Sequence, residues 1–399
     1  MKTKTIVIIC FVLTLNNLVA QNNIIKDNLF TANKLSSEKL QTFLKSKIEG
    51  TQFIMLGEQH GIKEVGKITN ELYNIGVEYG YNTLCIETDP IAAKTIETLF
   101  SKSKNSEKSF SELYQKYPYT IPFYNNKNDI ELFQNISNHK GKIWGIDQVF
   151  MVEFRLVFDY ILNNSSNKQL KRAIKPLLIE AKNNYKMAVE DKNYMAPFIF
   201  KYSDKLHQKL ITLCHSEKEK DILKSLKATK EIYLYNFQKH YYLNNNERAK
   251  LMKNNFLNYY KEATLNIKAP KVLFKLGANH VKKGLNNTNV FDISNTVSEL
   301  AFINGEKSLH IRATGINGLK NMGNPFAPVS VVPFDNTKDL PKEILENIEG
   351  LKEKYLIINT VPLRSITHKL SKEMETLVLK YDILIYIKDC EALEDLETD

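Results

Sequence analysis

Phe53-Ile54-Met55-Leu56-Gly57-Glu58-Gln59-His60-Gly61 is the stretch on which the reading of this chain turns. Four apolar residues predict a buried strand, and the run then breaks into glycine, acid, amide, imidazole and glycine. Beyond it, Val65, Ile68, Leu72, Ile75 and Tyr79 recur at spacings of 3, 4, 3 and 4, and Gly80 stands where a C-cap is expected. This predicts an amphipathic helix. A second apolar strand, Thr83 to Ile86, ends in Glu87-Thr88-Asp89-Pro90. Strand, helix and strand in this compass form a βαβ unit, whose two strands must be parallel. Both strands deliver titratable groups to their carboxyl ends, where open α/β sheets bind ligands.

Further out, the same grammar repeats. Lys142-Ile143-Trp144-Gly145-Ile146 reads as a strand closed by Asp147, and Lys271 to Ala278 as one closed by Asn279-His280-Val281. Arg248, Met252 and Asn255 precede the latter at spacings of four and three, which puts them on one helical face. Capping chemistry at Ser36-Ser37-Glu38 starts a helix to Ile48, and Pro90 starts one toward Leu99. Ser101 to Ser109 is expected as a loop or frayed end, and Pro118, Pro122 and Asn125 to Asn128 as breaks. From about 151 to 265 the chain is poor in Gly and Pro and rich in Lys, Glu, Leu and Tyr, a helical insertion of four or five helices. Its rings Tyr233, Tyr235, Phe237, Tyr241 and Tyr242 are expected mostly to pack helices together. Strands are predicted at Leu300–Ile303, Leu309–Ala313, Tyr355–Thr360 and Asp382–Ile387, a long loop at Gly315–Pro328, and a frayed acidic tail at Glu391–Asp399. The architecture expected is α/β: one domain over 21–399, with a mainly parallel central sheet flanked by helices and the insertion beside it.

Composition bounds the class. With 399 residues, 43% hydrophobic and 25% charged, the chain has ample core for a globular protein. Its formal charge of +10 comes from scattered lysines rather than a basic stripe, so no nucleic-acid partner is expected. Lys2 and Lys4 precede the short apolar run Ile6–Leu15, and Ala20 offers a small residue for cleavage; 1–20 thus reads as a signal peptide. The protein is expected to be exported, periplasmic or secreted, with no transmembrane segment. Cys85 lies inside a predicted core strand, and pairing of Cys214 with Cys390 is left open.

Glu58, His60, Glu87, Asp89, Asp147, Asn279 and His280 therefore collect at four strand ends. Carboxylates and imidazoles together suit general acid–base chemistry: a Glu orients His60, which takes a proton from water. His280 and Arg248 would face the oxygen that gains charge. No Gly-x-Ser-x-Gly elbow accompanies them, so direct attack by water on a small-molecule substrate is preferred. The candidate catalytic set is His60, Glu58, Glu87, His280 and Arg248, with Asp89, Asp147, Asn279 and Asn255 as substrate contacts. No cofactor is expected, with a divalent metal on Glu58, His60, Glu87, Asp147 and His280 as a lesser alternative. A purely structural polar network is the blandest reading.

Leu56-Gly57-Glu58-Gln59-His60-Gly61 with Cys85-Ile86-Glu87-Thr88-Asp89 resembles the erythromycin esterase-like family, within a superfamily that includes the ChaN-like haem-binding proteins. Arg248-x-x-x-Met252-x-x-Asn255 and Asn279-His280 resemble later motifs of the same families, so the resemblance covers 50–90, 140–150 and 246–284. It implies ester or lactone hydrolysis with His60 as base. Only Gln59 separates Glu58 from His60, whereas the esterases usually have two residues there. That spacing is closer to the ChaN-like form, which implies haem or small-ligand binding instead.

Overall fold

The computed structural model describes residues 25–321, 323 and 331–396; the signal peptide expected at 1–20 lies outside them. Its centre is an eight-stranded sheet in the order β1-β9-β10-β6-β2-β5-β3-β4. The strands are β1 Leu29–Ala32, β2 Thr51–Glu58, β3 Thr83–Ile86, β4 Lys142–Gly145, β5 Val272–Gly277, β6 Lys307–Gly315, β9 Tyr355–Asn359 and β10 Ile383–Ile387. A separate hairpin pairs β7 Asn317–Asn321 with β8 Val331–Asp335. From β10 through β4 every pairing in the sheet is parallel, and only β9 runs against its neighbours β1 and β10. The mixed α/β class read from the sequence is the one observed.

Alternation along the strands explains why helices cover both faces. Ile54, Leu56, Leu84, Ile86 and Leu273 point into one core with Val65, Ile68, Leu72, Ile96 and Phe133. Phe53, Met55, Cys85, Phe274 and Leu276 point into the other with Met252, Phe256, Val297 and Val378. The helix Lys63–Glu78 closes on Gly80 at φ +88°, where the Tyr81 N–H donates to the Gly76 carbonyl at 3.0 Å. Between Phe154 and Thr264 run five α-helices, the last of them Tyr241–Thr264, which packs across the sheet. No described helix is long and apolar enough to cross a membrane.

Several local expectations are corrected. The helix from Glu38 forms, but the Ser37 hydroxyl makes no capping bond. Ser106–Lys116 is a helix of its own, and Leu300–Ile303 is the end of the helix Ile293–Ile303. A short apolar run has no period that separates strand from helix. Tyr241 and Tyr242 are exposed instead of packed. Part of the expected loop at Gly315–Pro328 is strand β7, paired in register with β8. The tail through Leu396 is not frayed: its backbone bonds to Lys63, Gly61, Lys127 and Asn125. Cys214 and Cys390 are both free thiols.

Candidate active site

β2 delivers Glu58, and two residues later the chain presents His60 on the same side. Glu58 is only 5% exposed; its Oε1 lies 3.2 Å from His60 Nδ1 and its Oε2 2.9 Å from Lys275 Nζ. Lys275 is itself buried within β5, 3.8 Å from Asp129 and over the Tyr124 ring. Burial works to raise the Glu58 carboxyl, but the Lys275 ammonium and His60 outweigh it and hold its pKa below the usual value. An ionised carboxylate only accepts hydrogen bonds, so in the neutral ring Nδ1 carries the proton and Nε2 is the basic nitrogen. Gln59, between them, turns the other way. Its amide oxygen accepts from the Gly315 N–H at 3.2 Å and the Asn336 amide at 3.1 Å, tying β2 to the end of β6. Gly61 follows at φ +91°, where a Cβ would stand 2.3 Å from the Asn321 carbonyl oxygen.

Across β5 lies Glu87, just beyond β3. Its Oε2 accepts from the Gly277 N–H at 2.5 Å and stands 4.0 Å from His60 Nε2. Its Oε1 is 2.8 Å from Arg248 and 3.4 Å from His280 Nε2. Burial pushes this carboxyl up, yet His280, Arg248 and His60 together take it well below the ordinary range. Arg248 spans from Glu87 to Asp147, gripping both Asp147 oxygens at 2.9 and 2.5 Å. His280 is held from behind by Asp292, 2.9 Å from its Nδ1. Burial alone would lower the His280 pKa; Glu87 and Asp292 reverse this and raise it to about 10. His280 is therefore an imidazolium at neutral pH. Gly277 makes room for the pair in front of it: a Cβ there would meet His60 Nε2 at 2.9 Å and Glu87 Oε2 at 3.1 Å.

His60, 36% exposed, forms one wall of a cavity of about 200 Å³. Its ring stacks on Phe123, centroids 3.9 Å apart and planes within 10°. Tyr119, Phe150, Asn321, Leu393 and Asp395 also line the space. Phe123 and Tyr119 adopt left-handed backbone at φ 67° and 58°, in a loop that lays the Phe123 ring on the histidine and brings Tyr119 to the cavity lining.

Similar solved structures span nearly the whole chain. A mutant erythromycin esterase in its open conformation matches with TM-score 0.61 and 13% identity over 91% of this chain and 98% of that one. A succinoglycan biosynthesis protein matches at 0.57 and 15% over 94% and 98%. A Bacillus cereus protein matches at 0.56 and 14% over 94% and 99%. The chain has the erythromycin esterase fold. No family model and no curated protein matches its sequence.

Within this erythromycin esterase fold, Glu58, His60, Glu87, His280, Arg248 and Asp147 form one connected cluster. Three others fall outside it. Asp89 is the N-cap of the helix Pro90–Lys102, accepting from the Ile91 and Ala92 N–H groups. Asn255 donates to the Ile146 carbonyl at 2.9 Å and so fixes its helix to the end of β4. Asn279 accepts from the Asn287 N–H at 3.0 Å and shapes a loop. His280 does not face an open substrate oxygen, because both its ring nitrogens address carboxylates. Among the described residues no group of three or more His, Cys, Asp and Glu is disposed to hold a metal ion. The sequence reading missed Lys275, Asp292, Gly277 and Phe123. Only Lys275 left a signal, a lysine inside an otherwise apolar strand.

Proposed function

We propose that this protein is a hydrolase in which His60 activates water against an ester or lactone carbonyl. The observation that carries the reading is the pairing of His60 Nδ1 with an ionised Glu58, which leaves Nε2 facing Glu87 on a residue that lines a cavity. The erythromycin esterase fold supports the reaction class.

In the reaction, a water between His60 Nε2 and Glu87 gives one proton to Nε2 as its oxygen bonds to the carbonyl carbon. Glu58 stabilises the imidazolium that forms, and Glu87 accepts a hydrogen bond from the O–H that the water keeps. Collapse of the tetrahedral intermediate breaks the bond to the alkoxy oxygen, which takes the proton back from His60. Arg248 and His280 act through Glu87: they keep it ionised and aimed at the water. Export belongs to the same proposal and rests on Lys2, Lys4, Ile6–Leu15 and Ala20. N-terminal sequencing of exported protein should begin near Gln21.

The decisive experiment screens purified protein against ester and lactone panels, with and without a chelator. Turnover that survives chelation is expected. Chelator-sensitive turnover restored by zinc or manganese overturns the metal-free mechanism. Absence of turnover with uptake of haem would favour the binding alternative.

A further inference from the structure

We infer that the cavity beside His60 is a subsite for a small cationic group of the substrate, an ammonium borne on the ester, with Asp395 as its counter-charge. This rests on the hydrolase reading above and adds a substrate class to it.

At about 200 Å³ the cavity is smaller than the ~300 Å³ at which pockets begin to hold drug-sized ligands, so it suits one substituent rather than a whole large substrate. Tyr119, Phe123 and Phe150 supply aromatic walls, and the faces of such rings attract cations. Asp395 brings a carboxylate to the same space. It is half-buried, and among the described residues no Lys, Arg or His forms an ion pair with it; its side-chain partner is the Asn321 amide. A carboxylate withdrawn from water without a basic partner is stabilised by a cation that enters beside it.

The site is built from two segments that each need holding in place. Asp395 lies on the strap Glu391–Leu396, which runs beside Gly61 and Asn125. The Leu393 N–H donates to the Gly61 carbonyl at 3.0 Å, and the Asn321 amide donates to the Leu393 carbonyl at 3.1 Å. On the other side, the Lys127 N–H donates to the Glu394 carbonyl at 2.7 Å, and the Leu396 N–H to the Asn125 carbonyl at 3.3 Å. The strap is thus stitched both to the residue after His60 and to the loop that carries Tyr119 and Phe123. The positive φ at those two ring-bearing residues is strained backbone that the surrounding contacts maintain. Because His60 lines the same cavity, a cation seated against Asp395 holds its ester beside that histidine.

The test compares hydrolysis of butyrylcholine with that of its neutral carbon isostere, the butyrate ester of dimethylbutanol. Wild type should favour the cationic ester in kcat/KM by about tenfold or more, a preference set mainly by the Asp395 carboxylate in a partly desolvated site and assisted by the ring faces. Asp395→Asn should bring that ratio toward one, and Asp395→Glu should restore part of it. No preference in wild type, or a preference that survives Asp395→Asn, overturns the subsite while leaving the hydrolase reading intact. If neither ester is cleaved, the hydrolase reading is the one in question, and the subsite is judged by NMR titration with tetramethylammonium. Saturable shifts of the Tyr119 and Phe123 ring signals that weaken about tenfold in Asp395→Asn support it; an identical titration in the variant overturns it.

Discussion

The two histidines of the site stand at the ends of neighbouring strands and live in opposite surroundings. His60 follows β2, has a side chain 36% exposed, stacks on Phe123 and lines a cavity. His280 follows β5, has a side chain 10% exposed and sits between Glu87 and Asp292, which fix it as a cation. The difference shows how one residue type does two jobs within one cluster. A single carboxylate behind an accessible ring polarises it and leaves a free nitrogen. Two carboxylates around a buried ring consume both nitrogens and make it a fixed charge. Glu87 joins the two, since it faces His60 with one oxygen and His280 with the other.

Removing the exposed histidine should have the largest effect. His60→Ala is expected to lose roughly 10²–10⁴-fold in kcat on any cleaved ester, the usual scale for a lost general base. Its thermal melt should stay close to wild type, because the ring is partly solvated and has one close polar partner. Turnover that persists in this variant would break the distinction between the two histidines.

Removing the shared carboxylate should cost stability as well as rate. Glu87→Gln leaves Arg248 and His280 buried with one fewer anion, a loss of about 3–5 kcal/mol in denaturant unfolding. The His280 ring signals should then titrate well below the value of about 10 to which Glu87 and Asp292 raise it in the wild type. A variant as stable as wild type would mean that the cluster is already compensated elsewhere.

The buried cation also gives the protein a pH signature. Its folded pKa of about 10 exceeds the unfolded value of about 6.5, so its stabilisation is complete below about 6.5 and is lost as pH rises through about 10. Comparing unfolding free energies of wild type and His280→Gln across that window should show their difference shrinking as pH rises. The depressed Glu87 carboxyl works in the opposite sense: its contribution is present above the ordinary Glu value and disappears as pH falls through the folded one. A flat difference for His280→Gln would show that His280 is neutral.

The smallest effect sharpens the geometry between the two. Gly277→Ala places a methyl 2.9 Å from His60 Nε2 and 3.1 Å from Glu87 Oε2, so one of them must move. About a tenfold fall in kcat is expected, since a small misplacement of a reacting group is enough to slow chemistry. An unchanged rate would imply that the spacing of His60 and Glu87 is not set by the width of that glycine.

What the sequence determined by itself is what consecutive residues encode. The apolar run before Glu58 and the helical period from Val65 to Tyr79 specify a parallel βαβ unit. The repeated closing of apolar runs by Glu87, Asp147 and His280 gathers titratable groups at one sheet edge. The spacing of Arg248, Met252 and Asn255 likewise gives one helix face, with Met252 in the core and Asn255 on the end of β4. Tertiary structure alone decided which of these groups meet and which are spent on the backbone. Strand order places β5 between β2 and β3, so Lys275 falls beneath Glu58 and Gly277 beneath Glu87, partners that no local period announces. Asp89, two residues beyond Glu87, is drawn off to cap a helix, while Asp292 arrives from another helix start to hold His280. The cavity wall comes from a strained loop at Phe123 and a strap at Asp395, segments whose sequence reads only as breaks and a polar tail. Charge pairing, packing and cavity shape depend on residues brought together in space, and their separation along the chain hides them from any pattern of neighbours.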